Sequence, residues 1–207
     1  VAAAPYQRAG AAFLAGSLCC LGLPPLGWFP VLWLGFPVLV WLLGGATTKR
    51  QAFTTGWCFA FGYFLFGLYW IAASMFVDLK RFGWLIPITV AGLPAGLSIL
   101  YGLAALAWQK LNRHKTGGVV SALTLAWCFA AAEYIRGYLF TGFPWNLFGY
   151  VWTEFLPVAQ SASLFGSYGL TFVTLCAAVL PAALTTPGKR TAYIANGLAL
   201  GGFLILG

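Results

Sequence analysis

Residues Ala9 to Thr48 read AGAAFLAGSLCCLGLPPLGWFPVLWLGFPVLVWLLGGATT, forty consecutive residues without a charge. A membrane helix needs about 20 predominantly apolar residues, so this stretch holds two, predicted at about 8–23 and 29–45. Pro24-Pro25 marks the break between them, because a proline ring clashes with the preceding turn and removes a donor. The same reading repeats along the chain. Further apolar runs predict helices at about 52–74, 84–108, 118–139, 167–184 and 192–207. Pro157 and Gly166-Ser-Tyr-Gly169 interrupt the charge-free run from Phe155 to Thr186, so its first part reads as an interfacial or re-entrant piece. The expected fold is one all-α domain over 1–207, a polytopic transmembrane bundle of about seven helices.

Composition excludes a water-soluble domain. Eleven Lys/Arg and three Asp/Glu are the only charged residues among 207, and 61% of residues are hydrophobic. An ordinary soluble domain carries about 25% charged residues, enough to cover its surface in water. The formal charge of +8 does not indicate a nucleic-acid partner. Its basic residues are scattered in ones, twos and threes between apolar runs, the pattern of topology signals and headgroup contacts.

Placed in the loops that the seven spans define, the basic residues fall unevenly. One side receives Arg8, Lys49, Arg50, Lys110, Arg113, Lys115, Lys189 and Arg190; the other receives Lys80, Arg81 and Arg136. The positive-inside rule therefore puts the N-terminus in the cytoplasm and, after seven crossings, the C-terminus outside. Trp28, Trp84, Trp108, Tyr138, Trp145 and Trp152 gather at span ends and read as interfacial anchors. Gly92-xxx-Gly96 and Gly197-xxx-Gly201 offer close helix approach.

Chemistry concentrates in one place. Glu133 and Arg136 are three residues apart and so share a face of the fifth helix, in its outer half. An unpaired charge at that depth costs at least about 2.5–3.5 kcal/mol, so the two are expected to pair or to line a polar cavity. Three readings stay open: an ion pair with Arg136 snorkelling to the headgroups, a grip on a lipid headgroup, or the orientation of the loop that follows. That loop, Thr141-Gly-Phe-Pro-Trp-Asn146, is a rigid turn by virtue of Gly142 and Pro144. Phe143 and Trp145 give it apolar bodies, and Asn146 adds a polar tip; such a surface suits an acyl chain with its ester headgroup.

The stretch Glu133-x-x-Arg-Gly137…Thr141-Gly-Phe-Pro-Trp145…Gly149-Tyr150 closely resembles a signature of bacterial apolipoprotein N-acyltransferases. Gly56-Trp-Cys-Phe-Ala-Phe-Gly-Tyr-Phe-Leu-Phe-Gly-Leu-Tyr-Trp70 is similar to that family's third helix, and Pro24-Pro25…Trp28…Pro30 to the turn joining its first two. The resemblance implies transfer of an acyl chain from a phospholipid to the α-amino group of the diacylglyceryl-cysteine of a lipoprotein, in the bacterial cytoplasmic (inner) membrane. The implied partners are the phospholipid donor, the diacylated lipoprotein and membrane lipids. By resemblance, Glu133 and Arg136 organise the outer end of the fifth helix. Phe143, Pro144, Trp145 and Tyr150 line the mouth of the acyl path, with Tyr69 and Trp70 flanking it; Asn146, counted with the lipid-binding residues, stands at a position where family members vary.

The resemblance also implies a nitrilase-like domain carrying a Glu-Lys-Cys triad, expected after residue 207. No such triad can be assembled within the chain. Glu133 and Glu154 are its only glutamates, Asp78 its only aspartate, and His114 its single histidine, between Arg113 and Lys115. Cys19, Cys20, Cys58, Cys128 and Cys176 all lie in apolar runs without a neighbouring base to make a thiolate. None has a His at ligand spacing, so neither a metal nor another cofactor is expected. Asp78, Lys80 and Arg81 read as solvated loop charges. The alternative is a non-catalytic lipid-binding or scaffolding membrane module serving a separate enzyme.

Overall fold

The computed structural model describes residues 4–112 and 118–184, and every regular element within them is helical. Helix α1, Pro5–Cys20, opens on a proline, whose missing N–H falls where no helical partner exists. A 3₁₀ turn at Phe29–Val31 leads into α2, Leu32–Gly44. Thr48 caps α3, Lys49–Gly67, its hydroxyl accepting from the Gln51 amide at 3.2 Å. A 3₁₀ segment, Tyr69–Asp78, and the short α4, Leu79–Phe82, follow. A π turn at Ile88–Gly92 then runs into α5, Leu93–Leu111. Helix α6 is Gly118–Tyr138; after a 3₁₀ turn at Phe148–Trp152 come α7, Leu156–Ala159, and α8, Ala162–Leu184.

The six longer helices close a ring. Around it, α3 packs on α1, α1 on α2, α2 on α8, α8 on α6, α6 on α5 and α5 back on α3. Aromatic rings fill the centre: Phe36, Phe59, Phe64, Tyr63, Tyr101, Phe129 and Phe148 are all fully buried. Their centroids stand 4.5–6.2 Å apart in pairs such as Tyr63–Phe148 and Phe36–Phe129, the spacing favoured by tilted and edge-on ring contacts. The outside is equally apolar: Leu14, Trp41, Leu103, Trp127 and Leu164 are exposed. A helix bundle apolar both inside and out is a membrane protein.

Ile88–Leu111, Gly118–Tyr138 and Ala162–Ala183 are long and apolar enough to cross a bilayer, and Lys49–Gly67 with Tyr69–Leu85 counts as a fourth span bent by 46°. Phe29–Gly44 is apolar but shorter. The expected span at 52–74 therefore ends early: regular α-helix stops at Gly67, and the chain tightens to 3₁₀. The run at 84–108 becomes a π turn plus α5, extending to Leu111. The break expected around Pro157 and Gly166 takes two forms. Pro157 sits in the first turn of α7, where its ring is tolerated. Gly166 kinks α8 at φ 73°, ψ 171°, a left-handed φ that only glycine adopts without strain. The span expected at 192–207 lies outside the described residues, as do Arg113, His114, Lys115, Lys189, Arg190 and the Gly197-xxx-Gly201 pair.

Two packing expectations are corrected. Gly96 faces open space and Gly92 meets only its own neighbour Ile88, so this pair joins no helices. Close approach happens instead at Gly16, where a side chain would collide with the Phe59 carbonyl, and at Gly56, against Tyr101 and Ala105. Trp108 and Trp152 are not interfacial anchors. Both are buried, their indole N–H groups donating to the Ser121 carbonyl and the Thr174 hydroxyl, each at 2.8 Å. Trp28, Trp84, Tyr138 and Trp145 are exposed, as anchors must be.

Candidate functional site

The last turns of α6 carry the one ion pair among the described residues. Its face at Glu133 and Arg136 points into the ring, leaving the two side chains 0% and 1% exposed, with Arg136 Nη2 3.6 Å from Glu133 Oε1. Neither charge relies on the other alone. Glu133 accepts from the Tyr101 hydroxyl of α5 at 3.2 Å and from the Phe148 amide at 3.3 Å. The Arg136 guanidinium lies over the Phe64 ring of α3, 4.9 Å from its centroid. The pair thus ties α3, α5 and α6 to the segment that follows α6.

That segment is shaped around the guanidinium. Beyond Tyr138, Phe140 and Gly142 take φ of 57° and 80°, which reverses the chain so that the Phe143 amide donates to the Arg136 carbonyl at 3.0 Å. Arg136 Nη1 then donates to the carbonyls of Phe143 at 2.8 Å and Trp145 at 2.6 Å. Irregular backbone carries carbonyls with no helical partner, and in a membrane water does not replace them. The two N–H groups of Nη1 meet two of them at once. Asn146, at φ 53°, sets its amide nitrogen against Gly67 at the end of α3, so closely that a Cβ there would overlap it. The chain then drops inward: Phe148 is fully buried, and the Gly149 amide donates to the Thr171 hydroxyl of α8 at 3.1 Å.

Of the readings open at the sequence level, the geometry matches loop orientation. Arg136 does not snorkel; its guanidinium is turned inward and engaged with backbone. The exposed part of the site is the turn itself. Trp145 is half exposed, and its ring lies 5.4 Å from that of Phe143; Pro144 is partly buried, and Tyr150, further along, is partly buried against the core. Tyr69 and Trp70 are exposed on the segment after α3. Tyr101, Phe64, Tyr63 and Thr171 belong to the site but escape sequence reasoning. The one hint for the tyrosines is a polar tip within an apolar helix. Tyr63 packs on Phe148 at 4.5 Å with its hydroxyl buried.

The cluster contains carboxylate, guanidinium, phenol and threonine hydroxyl groups, without Cys, Ser or His. Such a set holds a shape and presents an aromatic surface; it offers no nucleophile–base pair of the usual kinds.

Comparison with known proteins identifies the family. The family model described as the apolipoprotein N-acyltransferase N-terminal domain matches residues 15–180. Apolipoprotein N-acyltransferases of Bradyrhizobium diazoefficiens and Rhodopseudomonas palustris are 45% and 42% identical to this chain over 94% and 90% of its length. That of Brucella suis is 39% identical over 94%. The matches cover 37%, 35% and 37% of those three proteins, so the chain spans little more than a third of their length. The chain belongs to the apolipoprotein N-acyltransferase family, in which it corresponds to the N-terminal domain.

Proposed function

We propose that this chain is the membrane platform of an enzyme that moves an acyl chain from a phospholipid to the N-terminal diacylglyceryl-cysteine of lipoproteins. The observation carrying the reading is the buried Arg136 guanidinium, which holds the carbonyls of Phe143 and Trp145 and so presents a rigid aromatic turn at the membrane surface. A preset aromatic surface spares the ordering cost of binding a flexible acyl chain. In this reading Phe143, Pro144, Trp145 and Tyr150 guide the donor lipid, with Tyr69 and Trp70 on the flank. Glu133, Arg136 and Asn146 hold the turn in place. The platform sits in the bacterial inner membrane with its N-terminus in the cytoplasm and the turn on the outer side. Bond-making groups come from a nitrilase-like domain of the full-length protein, and the 207-residue chain alone is not catalytic.

The test presents diacylated lipoprotein and phospholipid to the purified chain. The expected result is phospholipid binding without N-acylation, with binding weakened by Trp145→Ala and by Arg136→Ala. Robust turnover by this chain alone would overturn the division of labour; unchanged binding in both variants would overturn the role of the turn. The lack of a nucleophile in the cluster also favours a second reading, a lipid-binding or scaffolding module for a separate enzyme. Co-purification of a catalytic subunit encoded elsewhere would select it.

A further inference from the structure

At the opposite end of the ring from the Arg136 turn, a groove of about 700 Å³ opens between the α2–α3 connection and the last turns of α5. Leu106 and Ala107 contribute apolar wall, Thr47 and Gln109 polar wall, and Lys49 and Lys110 are exposed at its lining. Gln109 is already occupied, donating to the Ala46 carbonyl at 3.2 Å, and this contact ties the two sides together.

The charge at this end has no internal counterpart. All three acids of the sequence lie at the other end. Asp78 accepts from the Arg81 amide at 3.2 Å, Glu133 pairs with Arg136, and Glu154 packs where a Cβ on Gly27 would stand. Arg8 sharpens the imbalance. It is 5% exposed, its Nη1 is 3.5 Å from Gln51 Oε1, and its Nε has no hydrogen-bond partner. Gln51 in turn accepts from the Thr47 amide and hydroxyl at 2.9 and 3.0 Å, which places the buried guanidinium just behind the Thr47 wall. A buried cation without a carboxylate, backed onto a groove lined by two lysines, calls for an anion from outside.

We propose that this groove binds the phosphate of an anionic phospholipid, with Lys49 and Lys110 on the phosphate and Leu106 and Ala107 against the start of an acyl chain. A free phosphate would satisfy the lysines but leave the apolar wall uncovered. Ile99, Leu103 and Ala107 follow one another at four-residue spacing on α5 and are all exposed, an apolar face for the lipid tail. Basic pockets between membrane helices are a recurring mode of headgroup recognition. The site is separate from the aromatic turn, so the inference stands or falls independently of the acyl-transfer reading.

The experiment reconstitutes the chain in nanodiscs of phosphatidylcholine doped with phosphatidylglycerol and counts retained phosphatidylglycerol by native mass spectrometry. Lys49→Gln with Lys110→Gln should lower retention roughly 5-fold per lysine and about 30-fold together. Lys49→Arg with Lys110→Arg should keep it. The control variant, Lys80→Gln with Arg81→Gln, removes the same charge at the other end and should leave retention unaltered. Glycerol 3-phosphate should not displace the lipid. Equal retention by the Lys49/Lys110 glutamine variant, or an equal loss in the Lys80/Arg81 variant, would refute a specific site. Displacement by glycerol 3-phosphate would assign the groove to a soluble anion and overturn the lipid.

Discussion

The two ends of the ring handle charge in opposite ways. At the Arg136 end, a cation and an anion are taken fully inside, where α5 and the following loop supply hydrogen bonds and α3 a ring. At the Lys49 end, Lys49, Arg50 and Lys110 are exposed and no acid is present to meet them. The first arrangement builds backbone shape: a guanidinium that replaces water for two carbonyls turns an irregular loop into a fixed surface. The second leaves cations exposed without acidic partners, the pattern found at the cytoplasmic ends of membrane helices. The ring therefore has one end where charge is paired inside and one where it is left exposed.

Substitutions at the two ends should separate these roles. The largest effect is expected from Arg136→Met, which strands the Glu133 carboxylate in the core and frees both turn carbonyls. Thermal unfolding in detergent should show a loss of about 3–5 kcal/mol; a shift no larger than that of an exposed lysine would break the contrast. Next comes Gly67→Ala, whose added methyl overlaps the Asn146 amide. Overpacking at such a contact costs about 1–3 kcal/mol, and protease cleavage within 140–146 should rise with it. Tyr101→Phe removes one of several partners of Glu133, so the same melt should shift by about 1 kcal/mol. Smallest is Trp145→Ala, expected within about 0.5 kcal/mol of wild type because the ring is half exposed. Its effect belongs in phospholipid binding, not in the melt, and a large destabilisation would recast Trp145 as a structural residue.

Much of this was legible from residue order. The charge-free run Ala9–Thr48 and its successors demanded membrane helices, because hydrocarbon tolerates no other covering for so many apolar side chains. The i,i+3 spacing of Glu133 and Arg136 put them on one face, and Gly142-Phe-Pro-Trp145 announced a turn. Helix ends were less legible: Gly67 looks like any other glycine within an apolar run until the Asn146 side chain is seen against it. Trp108 and Trp152 misled for a related reason. Tryptophan at a span end suits the interface, but a buried partner such as Ser121 or Thr174 satisfies its N–H equally well.

Sequence by itself determined that the chain is an all-α membrane bundle and where its chemistry gathers, since hydropathy and helical spacing are local properties. Tertiary structure decided what Arg136 does. Whether a cation near a helix end reaches outward to headgroups or inward to carbonyls depends on the loop that folds back over it and on the rings of α3 beneath it. Those neighbours are brought together only by the closed ring.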